Sequence, residues 1–207
     1  MFLILDFTKS FRLAIFSDHQ IISKELKTKR NISEILIIEI EKFLKKSNKN
    51  FRNIKSIGVI TGPGSFTGTR SALTFAKSLK IIKKLSIFGI SKFEIINLKI
   101  KSKLIKNRCI LLHFKKNQFF VQKFKDNQAI DQAKLMDLDN KKFIFNKNTT
   151  YICDNILFKK LLENNIGEDI KKNFHFIDYN LFELQEIILK NIIDNPDPKP
   201  LYISNYY

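Results

Sequence analysis

Glycine is scarce in this chain, and where it survives it is concentrated. Of six glycines in 207 residues, three (Gly62, Gly64 and Gly68) fall in one seven-residue window. Pro63, one of only four prolines, lies in the same window, and the other three (Pro196, Pro198 and Pro200) punctuate the tail. Elsewhere Lys, Ile, Asn and Phe dominate, residues with AT-rich codons, so the composition has drifted away from Gly and Pro. Glycine permits backbone conformations and close approaches that a Cβ forbids, and proline fixes φ. The window therefore marks a turn whose geometry other residues cannot supply.

Around it, hydrophobic periodicity lays out the elements. Phe2 to Asp6 reads as a buried strand, Phe11 to Phe16 as its hairpin partner and Gln20 to Leu26 as a third strand. A helix follows from Ser33 to Lys46, capped by Asn31 or Ser33, with apolar residues 32, 35, 36, 40, 43 and 44 at helical spacing. Ile37 and Ile38 widen that stripe beyond what one sheet covers. Ser56 to Ile60 is a strand, and the Gly-rich turn leads into a helix over 66–83 carrying Ala72, Phe75, Ala76, Leu79 and Ile82 on one side. Ser86 to Ile90 is a further strand. In the second half, 108–114 and 118–124 read as an antiparallel pair, 143–145 and 150–153 as short strands, and 155–163 and 181–194 as helices. This succession predicts an α/β fold with mixed sheets in two domains, 1–103 and a smaller 104–207.

Composition removes several classes. No apolar run approaches the roughly 18 residues of a membrane span. The opening Met1-Phe2-Leu3-Ile4-Leu5-Asp6 lacks a basic region and is not a signal peptide, so the expectation is a cytoplasmic protein without a membrane partner. Two cysteines, Cys109 and Cys153, make neither a disulfide framework nor a four-ligand zinc site. The formal net charge is +17, from 37 Lys+Arg against 20 Asp+Glu. Such an excess suits nucleic acid, but only five of the cations are arginine, and AT-rich codons supply lysine as well.

The turn Thr61-Gly62-Pro63-Gly64-Ser65-Phe66-Thr67-Gly68-Thr69-Arg70 has two physical readings. Backbone amides gathered at a helix N-terminus form an anion cradle, with Ser65 or Thr67 as cap and Arg70 adding charge. Alternatively, the glycines let the turn pack against a neighbouring segment, with no ligand. The spacing matches neither G-x-x-x-x-G-K-[ST] nor G-x-G-x-x-G.

Residues Gly62-Pro63-Gly64-Ser65-Phe66-Thr67-Gly68-Thr69-Arg70 closely resemble the G-P-G-S-F-T-G-x-R signature of the TsaB (YeaZ) family of tRNA threonylcarbamoyladenosine biosynthesis proteins. Leu3-Ile4-Leu5-Asp6-Phe7-Thr8 is similar to the family's first strand, Arg30 to Leu36 to the start of its first long helix, and Ile87 to Ser91 to its I-G-V-S strand. Pro200-Leu201-Tyr202-Ile203 resembles its tail. The resemblance implies the actin-like ATPase (ribonuclease H-like) superfold with a degenerate second domain, and a non-catalytic scaffold role without cofactor or metal. It implies partnership with the catalytic paralogue TsaD and the ATPase TsaE, and with tRNA through that complex. The two long helices would make the partner interface, here Ile37, Ile38, Glu41, Ala72, Phe75, Ala76 and Leu79, and the same face would serve a homodimer.

The residues fit that role. Where the catalytic paralogue has two metal-binding histidines four apart, this chain has Lys92 and Ile96. Beyond Gly89 only Gly167 remains, so a second phosphate loop is not expected. His19, His113 and His175 lack partners at ligand spacing, and nothing in the sequence arranges a base beside Ser65 or Thr67. Departures from the pattern also occur, with His113-Phe114-Lys115 on the second-domain hairpin and Ser204 after the tail motif. The rival readings are a stand-alone basic tRNA-binding domain and a hydrolase using Ser65.

Overall fold

The computed structural model describes residues 1–17, 20–27, 32–100, 106–126, 128–140, 144–163, 166–177, 198–201 and 203. The chain forms two compact units, Met1–Lys92 with Asn180–Leu201, and Phe93–Tyr179 with Tyr202–Tyr207. A division after residue 103 keeps the helix Lys92–Lys99 with the first domain, whereas from Phe93 onward it groups with the second unit.

The first unit holds strands β1 (Phe2–Asp6), β2 (Phe11–Ser17), β3 (Gln20–Leu26), β4 (Ser56–Ile60) and β5 (Ser86–Ile90) in the order β3-β2-β1-β4-β5. β2 is antiparallel to β1 and β3, while β1, β4 and β5 run parallel. Strand side chains alternate between faces. Leu3, Leu5, Leu13, Ile15, Ile57, Val59 and Ile87 therefore share one face, where they pack with helices α1 (Ile32–Lys46) and α2 (Phe66–Lys83). α1 contributes Ile32, Leu36, Ile40, Phe43 and Leu44, and α2 contributes Ala72, Leu73, Phe75 and Ala76. Each large aliphatic or aromatic side chain so buried contributes roughly 1.5–3 kcal/mol. The opposite sheet face carries Ile4, Phe16, Ile60, Phe88 and Ile90, also buried.

The helix ends follow local chemistry. α1 stops where the Ser47 amide bonds back to the Phe43 carbonyl and Asn48 turns left-handed at φ 53°. A 3₁₀ turn, Phe51–Asn53, capped by Asn50, then leads into β4. α2 starts on the Ser65 cap and ends on left-handed Lys84. Asn31 and the Ser33 side chain, the expected α1 caps, lie outside the described residues, as do His19, Ser204 and the expected helix over 181–194.

In the second unit, β6 (Asn107–Lys115) and β7 (Gln118–Lys125) form the expected hairpin, and β10 (Thr150–Cys153) is the expected strand. Three strands were not anticipated: β8 (Gln128–Ala129), β9 (Lys134–Asp137) and β11 (Phe174–Phe176). The order is β11-β10-β6-β7-β8, with β9 also on β7; β6, β10 and β11 are parallel and β7 is antiparallel. This repeats the first sheet: an antiparallel hairpin whose first strand pairs with a parallel strand, which in turn pairs with a second parallel one. Between β9 and β10, no described residue forms an α-helix matching α1, the structural sense in which the second unit is degenerate.

Its core packs Cys109, Leu111, Phe119, Tyr151 and Phe174 with Phe158 and Leu162 of α4 (Ile156–Glu163). The expected strand over 143–145 is a correction: residues 144 and 145 are irregular. Phe145 instead sets its ring against Tyr151 and Phe174, with centroids 5.1 and 5.4 Å away, so aromatic packing rather than a ladder explains its burial.

Candidate functional site

The Gly-rich turn is built around the end of β1. Asp6 is fully buried, and its Oδ1 accepts hydrogen bonds from the Thr8 amide (3.1 Å) and hydroxyl (2.7 Å), while Oδ2 pairs with the Arg12 guanidinium. This fixes the course of Phe7 and Thr8, whose carbonyls face the turn. The Ser65 amide donates to the Thr8 carbonyl at 2.6 Å. A Cβ on Gly64 would lie 2.3 Å from that carbonyl oxygen, and one on Gly68 would lie 2.2 Å from the Phe7 carbonyl oxygen. Gly62 adopts φ +118°, which L side chains rarely reach. Its carbonyl accepts from the Lys92 amide at 2.7 Å, and the Thr61 carbonyl accepts from the Leu201 amide at 2.8 Å. The turn thus joins β1, the start of α3 (Lys92–Lys99) and the tail.

An anion cradle needs amides that point outward and unspent. Here the Gly68 amide donates to Ser65 Oγ at 3.1 Å, the Thr69 amide to the Ser65 carbonyl at 2.9 Å, and the Ser65 amide to Thr8. These amides are satisfied by the chain itself. Arg70 lies 3.9 Å above the Phe66 ring centroid, a cation–π contact within the first turn of the helix, and Pro63 is buried while Thr67 is exposed. Close packing accounts for Gly64 and Gly68, and the positive φ for Gly62.

The residues expected at a partner interface divide into two groups. Ala72 and Ala76 are 0% exposed and Phe75 9%, all within the core against the sheet. They cannot present surface to a partner, which corrects their assignment. Leu79 is half-buried against the same core. Ile37 and Ile38 are 61% and 52% exposed, and Glu41 is exposed beside them, paired with Lys45 at 2.8 Å. Ile81 and Ile82, at 81% and 73%, were not anticipated as surface residues. Burial declines along α2 from Ala76 through Leu79 to Ile82, so the last turn is no longer covered by the core.

Among the described residues, the titratable groups singled out by the sequence lie apart, and Ser65 and His113 are already engaged. Ser65 Oγ is engaged as the cap. His113 lies tilted against Phe158, with centroids 5.0 Å apart and its Nε2 3.1 Å from the Lys116 carbonyl, and His175 lies exposed on β11. Burial pushes the Cys109 thiol up to about 12 and raises that of Cys153 as well, which disfavours the nucleophilic thiolate. Among the described residues no three His, Cys, Asp or Glu side chains could hold a metal ion together. Lys92 and Ile96 are both buried, one a cation and the other hydrocarbon, and do not fit a metal. No helix of the described residues is long and apolar enough to cross a membrane.

Residues 20–142 match the family model of TsaD, tRNA N6-adenosine threonylcarbamoyltransferase. The chain belongs to this family. It is 26% identical over 197 residues to the tRNA threonylcarbamoyladenosine biosynthesis protein TsaB of Buchnera aphidicola, covering 91% of this chain and 80% of that protein. A Pseudomonas aeruginosa protein described as similar to peptidase YeaZ superposes with a TM-score of 0.69 at 12% identity, covering 98% of both chains. YeaZ from Pseudomonas aeruginosa superposes at 0.56 and 13% identity, over 73% of this chain and 74% of that one. The Buchnera relative and the nonapeptide Gly62–Arg70 support a place in the TsaB/YeaZ group, and the two solved structures show the shared, actin-like fold.

Proposed function

We propose that this chain is a non-catalytic scaffold subunit of the machinery that installs threonylcarbamoyl on the adenosine next to the anticodon of tRNAs. In this reading it grips and stabilises the catalytic TsaD paralogue through α1, with the ATPase TsaE joining the assembly. The observation that carries the reading is the exposure of adjacent isoleucines 37 and 38, at 61% and 52%, on a helix whose other apolar positions are largely buried. Apolar groups left in water on a rigid helix gain roughly 25 cal/mol for each Å² that a partner covers. The occupied amides of Ser65, Gly68 and Thr69 and the ligand-poor positions Lys92 and Ile96 favour shape over chemistry. Glu41 at the edge of the patch gives the rim a polar, orienting contact. A homodimer through the same face is the competing occupant when the partner is absent.

The test is the mass of the species formed when purified chain and the TsaD-type subunit are mixed at micromolar concentration. The expected result is a stoichiometric heterocomplex that forms at the expense of any homodimer and raises the partner's thermal midpoint. Two separate species at that concentration would count against the scaffold reading.

A further inference from the structure

The cationic excess is not spread evenly over the first unit. β4 and β5 run parallel with Ser56 opposite Ser86, so their first residues lie at one end of the sheet. α2 ends at Lys83, three residues before β5, and α1 leads through the 3₁₀ turn to β4, so both helix C-termini lie at that end. Lys83 Nζ sits 5.8 Å from the Phe51 ring centroid, which ties the end of α2 to the turn after α1. Residues 41–56 and 77–86 together hold ten Lys or Arg and a single acid, Glu41, which pairs with Lys45, while Lys42 pairs with Glu39 just before the first segment. Lys46, Arg52, Lys55, Lys83 and Lys84 are exposed there.

Helix C-termini attract cations, but the macrodipole amounts to roughly half a charge at each end, far below this accumulation. Codon usage supplies lysine without placing it at one end, or keeping acids away from it. A cluster of flexible ammonium groups with one guanidinium suits point contacts to a phosphodiester backbone rather than the reading of base edges.

We infer that the end of the first unit formed by the C-termini of α1 and α2 is a surface for the phosphate backbone of a structured RNA. It would bind by charge and shape, without base specificity. The inference stands apart from the scaffold reading, because the chain alone tests it and neither outcome depends on a protein partner.

The experiment measures binding of a fluorescently labelled tRNA transcript to the full chain by anisotropy across a salt series. One variant combines Lys46→Gln, Arg52→Gln, Lys83→Gln and Lys84→Gln. A second, of equal charge change, combines Lys116→Gln, Lys123→Gln, Lys125→Gln and Lys134→Gln in the other unit, all exposed positions. The first is expected to lose at least about tenfold in affinity near 0.1 M salt and to flatten the log–log salt slope by about 3, since each phosphate contact releases counterions. The second should change affinity by less than about threefold, with thermal melts showing both variants folded. Equal losses in both variants would overturn the inference, because the charge would then act without a defined surface. An unchanged first variant would overturn it too. So would an absence of RNA binding, with or without capture on phosphatidylserine vesicles.

Discussion

Replacing Gly68 by alanine is expected to cost about 3 kcal/mol of folding stability, at the upper end of what overpacking costs. The added methyl would sit 2.2 Å from the Phe7 carbonyl oxygen and 3.1 Å from Ser65 Oγ. Neither neighbour can yield cheaply. Phe7 is 1% exposed with its ring edge-on to Phe11, and Thr8 beyond it is held by two hydrogen bonds to buried Asp6. Ser65 is the cap of α2, so moving it forfeits its bond to the Gly68 amide. Gly167 is the matched control: a Cβ there meets nothing within 4 Å and its φ is −66°, so Gly167→Ala should stay within about 0.5 kcal/mol of the parent. Urea unfolding midpoints with an unchanged slope would read both changes. A Gly68→Ala midpoint close to that of Gly167→Ala would show that β1 and the turn can separate without penalty.

The second large effect concerns association. The double variant Ile37→Glu, Ile38→Glu is expected to weaken the complex with the TsaD-type subunit at least 100-fold, about 2.7 kcal/mol at 1.4 kcal/mol per decade. Both side chains are more than half exposed, so the isolated chain should keep its melting temperature. Burying two carboxylates without partners is costly wherever the new surface is dry. Titration calorimetry with the parent and the variant measures this directly. Equal affinities would remove α1 from the interface, and a variant that fails to fold would show that the isoleucines serve the core after all. Ile81→Glu gives an independent reading of whether the uncovered end of α2 belongs to the same contact.

The parts of the fold that were legible in the sequence are those where one physical demand dominates. The Gly-rich turn stood out because a composition poor in glycine kept three in seven residues, and each has a backbone or steric reason to be there. α1 and α2 were legible from periodic apolar stripes and fall within a residue of the expected bounds. Which face of a helix meets a partner was not legible. Helical spacing says that Ala72, Phe75 and Ala76 share a side, but that side is the core by default, and only the departures from the stripe reach the surface. Ile37 and Ile38 were such departures. Ile82 sits on the stripe and is exposed all the same, because the spacing does not say where along a helix the core stops covering it.

In the second unit the signals are weaker because the strands are short and half-covered. β8 has two residues and β11 three, too few for alternation to register. Phe143-Ile144-Phe145 has the alternation of a strand, yet Ile144 is 87% exposed and Phe145 is held by edge-on and tilted contacts with the Tyr151 and Phe174 rings. The Asp6–Thr8–Arg12 cluster, which anchors the turn, carried no separate sequence signal beyond the resemblance at the end of β1.

The central claim is that this chain contributes shape to tRNA modification and leaves the chemistry to its partner. The most direct measurement follows ATP consumption and threonylcarbamoyl transfer to tRNA for the isolated chain, for the TsaD-type subunit with its ATPase, and for all components together. The expected result is no turnover by the chain alone, and a rise when it joins the others that Ile37→Glu, Ile38→Glu abolishes. Turnover of ATP or formation of modified tRNA by the isolated chain would contradict the account.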